Sequence, residues 1–280
     1  MLFSTLTIVG VGLIGGSIGL AAKKRGVCQR VVGVGRDAAK LEQARKLGAI
    51  DEISLSLVDA AACADCILFC TPVNRVALQV KEVAAHCKPG TILTDAGSTK
   101  GEIVAAVEAD LPAHVHFVGG HPLAGSEKKG VEYAHADLFV QRMTVLTPTR
   151  DTPDDVVRKV AVFWEALGAR TQLMSPEHHD QALALTSHLP HLLASALAGM
   201  LPNDWRDLTA TGFRDTTRVA AGDPDVWTPI FQHNRLAVLT ALDQLDDRLR
   251  KFRVALTNDD VPAIDQFLAE GKKVRDALGS

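Results

Sequence analysis

The stretch Gly119-Gly-His-Pro-Leu-Ala-Gly-Ser-Glu127 puts a histidine and a carboxylate among glycines, just past the apolar segment His116–Val118. Glycines around titratable groups mark backbone that approaches something closely. His121 has the right chemistry for a proton acceptor, because imidazole titrates near neutral pH. A structural turn holding a buried histidine has the same local pattern, so the rest of the chain must decide.

Three further segments carry chemistry. Asp95-Ala-Gly-Ser-Thr-Lys100 follows the apolar run Thr91–Thr94, which places Ser98 at the carboxyl edge of a sheet or makes it the N-cap of a helix over Thr99–Ala109. Thr186-Ser-His-Leu-Pro-His191 sets His188 and His191 three apart on a helix that Pro190 interrupts. Gly212-Phe-Arg-Asp-Thr-Thr-Arg218 sets Arg214 and Arg218 on one helical face, where each can also be a solvated charge.

Leu6-Thr-Ile-Val-Gly-Val-Gly-Leu-Ile-Gly-Gly16 reads as strand, then Gly10-x-Gly12-x-x-Gly15, then a helix opening at about Ser17. Gly10 permits a tight turn, Gly12 admits a pyrophosphate to the backbone, and Gly15 allows close helix–strand packing. Leu13 and Ile14 lie within this loop, and Thr71 follows the strand Cys66–Cys70; they join the three glycines as cofactor-binding candidates. At the end of the second strand, where an acid would hold a ribose 2′-hydroxyl, stand Gly35 and Arg36. Glycine leaves room for a 2′-phosphate and arginine can pair with it, which favours NADP while leaving NAD open. Asp37, one residue further, reads as a helix N-cap.

The elements that must position these groups alternate. Strands are expected at Leu6–Val9, Arg30–Val34, Cys66–Cys70, Thr91–Thr94, His116–Val118, Met143–Thr147 and Thr171–Leu173, with helices such as Ala38–Leu47, Lys100–Ala109 and Pro153–Leu167 between them. That pattern predicts an α/β architecture, a doubly wound parallel sheet over residues 1–174. From 175 to 280 the pattern is all-α: about Glu177–Met200, Trp205–Ala221, Pro224–Arg253 and Asp260–Leu278. Gly222-Asp223-Pro224 supplies a helix C′, an N-cap and a first-turn proline. Leu236, Leu239, Leu242, Leu245 and Leu249 form an apolar stripe that a second copy of the chain would cover.

The 280 residues are 47% hydrophobic with a formal net charge of −3, and no lysine/arginine run resembles a nucleic-acid surface. No apolar run can span a bilayer and no signal sequence opens the chain, so a cytoplasmic location is expected. Cys28, Cys63, Cys66, Cys70 and Cys87 lack a second ligand pair at zinc spacing. They read as buried small hydrophobes, and no metal site is expected.

Taken together, the glycine loop, Asp95-x-Gly-Ser98-x-Lys100, His121-Pro-x-Ala-Gly-x-Glu127, Ser187-His-Leu-Pro-His191, Phe213-x-Asp215-x-Thr217-Arg218 and Asp223-Pro224-x-x-Trp227 resemble the prephenate/arogenate (cyclohexadienyl) dehydrogenases of tyrosine biosynthesis. The resemblance runs from the first strand to about Arg235. It implies an N-terminal Rossmann domain with an all-α C-terminal dimerisation domain, a homodimer, and the substrates arogenate and prephenate. It implies hydride loss from C4 to NAD(P) with release of CO2. His121 and Ser98 are the implied catalytic residues. His188, His191, Arg218, Asp215, Glu127 and Trp227 are the implied substrate-binding residues, Trp227 from either subunit. The chain differs from some members in having no chorismate mutase segment in front and no room for a regulatory domain after Ser280, so separate-domain control by tyrosine is not expected. Two rivals share parts of the pattern. A β-hydroxyacid dehydrogenase would carry a lysine in the first long helix of its second domain, but Glu177–Met200 has none. A non-catalytic NAD(P) sensor would need neither Ser98, His121 nor Arg218.

Overall fold

The structure is a computed structural model that describes residues 1–125 and 128–279. The elements, in order, are β1 (Phe3–Val9), α1 (Leu13–Lys24), β2 (Cys28–Val34), α2 (Ala38–Lys46), β3 (Glu52–Ser54), α3 (Leu57–Ala62), β4 (Cys66–Phe69), α4 (Val73–Ala84), β5 (Thr91–Asp95), α5 (Gly101–Glu108), β6 (Val115–Pro122), β7 (Met143–Thr147), α6 (Asp154–Ala166) and β8 (Arg170–Leu173). They are followed by α7 (Pro176–Leu183), α8 (Leu189–Gly199), α9 (Thr211–Thr217), α10 (Pro224–His233), α11 (Arg235–Thr257) and α12 (Val261–Ala277). By compactness, Met1–Asn234 forms one unit and Arg235–Ser280 another.

The sheet order is β3-β2-β1-β4-β5-β6-β7-β8. Every neighbouring pair is parallel except β6–β7. The first six strands have the doubly wound dinucleotide-binding order, whose switch point falls between β1 and β4. Both faces are covered. One carries Leu6, Ile8, Ile18, Phe139 and Trp164; the other carries Val9, Phe69, Val76, Leu93 and Phe117, joined by Ile230 of α10. Strands buried on both sides explain their near-continuous apolar runs.

Two expectations change here. β6 continues through Pro122, so His121 lies on a strand, opposite Val145 of β7, rather than in a loop. Gly119 and Gly120 are there because of crowding: a Cβ on Gly119 would strike the Thr147 hydroxyl, and one on Gly120 would come within 2.6 Å of the Asp95 carbonyl. The helix over Glu177–Met200 is divided as well. A π turn at Ala184–His188 separates α7 from α8. Pro190 cannot donate a backbone hydrogen bond, and the wider turn accommodates that gap.

Gly222 has φ −61°, so it is not a left-handed C′ residue. Its lack of a side chain makes room for Trp227 and His191. Asp223 does N-cap α10, accepting from the Asp225 amide at 2.8 Å, with Pro224 in the first turn. Of the cysteines, Cys28, Cys66 and Cys87 are buried, Cys70 is half-buried and Cys63 is exposed, which corrects a uniform packing role. No described helix is long and apolar enough to cross a membrane.

Candidate active site

The parallel strands bring their carboxyl ends to one edge, and a cleft of about 500 Å³ opens there. Its walls include Gly12–Gly15 before and within α1, Cys70–Val73 after β4, Ala96–Ser98 after β5, and His121. Ser187, His188, Asp223 and Trp227 complete it from the helical segment.

The α1 end fits a dinucleotide. Gly10 has φ +90° and lies against the Cys70 carbonyl, where a side chain would collide. A Cβ on Gly15 would strike the Gly10 carbonyl and Ile8. A Cβ on Gly12 would meet nothing within 4 Å. Packing therefore does not require glycine at position 12, and the backbone there is open to a ligand. No side chain caps the N-terminus of α1, so its amides remain available to a phosphate. Thr71 donates to Gln79 Oε1 at 2.5 Å beside this loop. Gly35 and Arg36 follow β2, and Arg36 is exposed. Asp37 is engaged as the α2 cap by the amides of Ala39 (3.0 Å) and Lys40 (3.2 Å).

The reacting end rests on a chain of side chains. Asp180 lies at the buried face of α7. Its carboxylate accepts the amides of Lys100 and Gly101, each at 2.8 Å, and so caps α5 from a distant helix. Ser98 is not that cap; helix α5 begins beyond it, with Lys100 at the N-cap position. Asp180 also takes the Nδ1 proton of His179, at 2.8 Å. His179 Nε2 is then an acceptor, and His121 Nδ1 donates to it at 2.8 Å. A carboxylate can only accept, so this order of donors fixes both tautomers and leaves His121 Nε2 as a lone pair.

Burial pushes His121 well below the usual imidazole range, helped by His179, Lys100 and His188. Burial also lowers His179, with the hydrogen bond to Asp180 opposing it. Beneath the site, Lys100 and Asp95 form a fully buried ion pair. Lys100 Nζ also donates to the Gly120 carbonyl at 2.8 Å, and Asp95 accepts the amides of Gly97 (2.8 Å) and Gly120 (3.0 Å). These contacts tie the Ser98 turn to the strand that carries His121.

Of the other sequence candidates, Ser98, His188 and Trp227 line the cleft with His121, and Trp227 does so within its own chain. His191 stacks on Trp227 with centroids 3.6 Å apart. Asp215 and Arg218 lie on the exposed end of α9 and the 3₁₀ turn after it, outside the cleft lining. Glu127 falls outside the described residues. The sequence reading missed His179 and Asp180. Their signal was the buried face Pro176, His179, Asp180, Leu183, where polar residues occupy the positions of an apolar helical stripe.

Two family models match. "Prephenate dehydrogenase, nucleotide-binding domain" matches residues 18–173, and "Prephenate dehydrogenase, dimerization domain" matches residues 175–270. The cyclohexadienyl dehydrogenase of Zymomonas mobilis is 36% identical, covering 99% of this chain and 96% of that protein. A crystal structure of the A. aeolicus prephenate dehydrogenase with hydroxyphenyl propionate and NAD+ superposes with a TM-score of 0.91 at 31% identity, over 98% of both chains. The Synechocystis arogenate dehydrogenase superposes with a TM-score of 0.84 at 31% identity, over 98% of this chain and 99% of that one.

Proposed function

The chain belongs to the prephenate dehydrogenase family, and from that premise we propose that it carries out NAD(P)-dependent oxidative decarboxylation of arogenate, prephenate or both, forming tyrosine or 4-hydroxyphenylpyruvate. The observation that carries this reading is the Asp180–His179–His121 chain, which ends in an unprotonated Nε2 in the cleft that also holds the glycine loop.

His121 Nε2 accepts the proton of the C4 hydroxyl as C4 becomes carbonyl-like. Its lowered pKa keeps the ring neutral and ready at physiological pH. The imidazolium that forms is stabilised through its Nδ1–H bond to His179 and onward to Asp180. Ser98 orients the same hydroxyl or the nicotinamide. A nicotinamide held at Gly10, Gly12 and Gly15 would supply the acceptor for the C4 hydride. Loss of CO2 leaves an aromatic ring, which makes the step effectively irreversible.

Residues 1–174 hold the cofactor in this reading, and 175–280 supply substrate contacts and the homodimer interface. NADP is favoured over NAD because Asp37 is engaged as a cap while Gly35 and Arg36 remain for a 2′-phosphate. His188 and Trp227 in the cleft, with His191 stacked on Trp227, serve the substrate's carboxylate and side-chain end, and Asp215 and Arg218, which lie outside this cleft's lining, are outer candidates for the same end. Glu127 would pair with the ammonium of arogenate, giving a slight preference for it over prephenate. A cytoplasmic location completes the reading.

The test is the His121→Asn variant. kcat should fall about 10²–10⁴-fold, the usual worth of a positioned base, with NADP affinity retained. Turnover within threefold of wild type would remove His121 as the base.

A further inference from the structure

Asn234 ends α10 and is buried. Its Nδ2 lies 2.8 Å from the backbone oxygen of Asp180 and 3.0 Å from Nδ1 of His188. A carbonyl oxygen can only accept, so the amide must present its NH2 group to this corner; the flipped orientation would set two oxygens against each other. The second amide hydrogen then goes to His188 Nδ1, which must be the unprotonated ring nitrogen. The His188 proton therefore sits on Nε2. That atom is buried and has no hydrogen-bond partner among the described residues, and His188 lines the cleft. A buried N–H donor without an acceptor is costly unless a ligand supplies one.

We propose that Asn234 is a positioning residue: its amide locks His188 in the Nε2–H tautomer, so that the cleft presents a neutral N–H donor to a carboxylate oxygen of the bound substrate. This deepens the dehydrogenase reading above and rests on it for the identity of the acceptor.

The surroundings of His188 keep it neutral. Burial lowers it to about 4, with the charge of Asp180 opposing and His179 and His191 adding to the depression. Asp180 and His179 face it from α7, and His191 from α8. From α10, Trp227 and Phe231 meet its ring edge-on, at 6.2 and 6.4 Å between centroids. A neutral donor can orient the substrate without placing a second cation near His121, whose protonation His188 already disfavours. The same Asn234 amide also holds the Asp180 backbone, so the donor and the His121 chain share one anchor.

Nitrogen-15 NMR of the full-length, histidine-labelled protein with NADP bound tests the proposal directly, with His188 assigned by loss of its signals in His188→Gln. Between pH 5.5 and 8, Nε2 should be protonated and Nδ1 unprotonated. A proton on Nδ1, or a cationic ring at pH 7, would overturn the proposal. Asn234→Asp gives a second readout. Its carboxylate would accept from Nδ1, so the His188 proton should move to Nδ1 at pH 7 and leave Nε2 without a hydrogen for the substrate. KM for the cyclohexadienyl substrate should rise roughly tenfold while NADP affinity stays within twofold. An unprotonated Nδ1 and an unchanged KM in a folded Asn234→Asp protein would count against it. Should that variant misfold, the wild-type spectrum still decides. Wild-type protein that turns over neither prephenate nor arogenate would sink the dehydrogenase reading and leave the tautomer result to stand or fall on its own spectrum.

Discussion

At the scale of single residues, the proposed mechanism separates groups that touch substrate from groups that hold them. His121 and Ser98 were legible in the sequence because their motifs are local. His179 and Asp180 were not, because their roles arise from contacts 58 and 80 residues away along the chain. His179 acts through His121, so His179→Leu should lower kcat about 10–100-fold while KM and NADP affinity hold steady, the pattern of a lost orienting group. Parallel loss of KM and cofactor affinity in steady-state kinetics would point to a merely structural role. The pH dependence follows from the sign of the shift. His121 is lowered in the folded protein, so it stays neutral as pH falls through 6.5. The acid limb of kcat/KM for the free enzyme should therefore lie below pH 6.5, and a limb centred at 7 or above would contradict the burial argument.

At the scale of elements, the order strand, turn, helix around Gly10–Gly15 was legible from the glycine spacing, although α1 opens at Leu13 rather than about Ser17 and Gly10 owes its place to the distant Cys70 carbonyl. Gly12 is the informative case, since its Cβ direction is open. Gly12→Ala should leave Tm within about 2 °C of wild type and weaken NADP binding tenfold or more. Gly15→Ala should instead lower Tm by several degrees, because its Cβ meets the Gly10 carbonyl and Ile8. Thermal melts with and without NADP check both; equal Tm losses in the two variants would mean that position 12 is a packing glycine. Other elements were harder to read. The short β3 and helices α3 and α4 were not identified, since six-residue α3 is too brief to show a period. β6 was cut short at its glycines, because Gly119 and Gly120 look like a loop until the crossing Asp95 turn and Thr147 are known.

At the scale of the molecule, the doubly wound plan was legible because short, near-continuous apolar runs alternate with helical stretches, and the helical second half because a 3.6-residue hydrophobic period persists there. The division by compactness falls elsewhere, after Asn234, since helices α7–α10 group with the sheet through tertiary contacts that no local pattern encodes. In the Arg235–Ser280 unit, Leu236, Leu239 and Leu249 of α11 and Leu268 of α12 are exposed. Apolar surface of this kind marks an interface, and a homodimer would cover it. Leu239→Lys combined with Leu249→Lys should shift the mass measured by light scattering from two chains towards one. A wild-type protein that is monomeric at micromolar concentration would remove the dimer from the account.

In the proposed reaction the cleft couples hydride removal at C4 to loss of CO2, with His121 taking the proton. The most direct measurement follows reduced nicotinamide and CO2 together when the protein meets arogenate or prephenate labelled with carbon-13 in the ring carboxylate, with NADP in excess. One NADPH and one labelled CO2 should form per substrate consumed, and neither product at a comparable rate with His121→Asn. NADPH without CO2, or no turnover of either substrate, would contradict it.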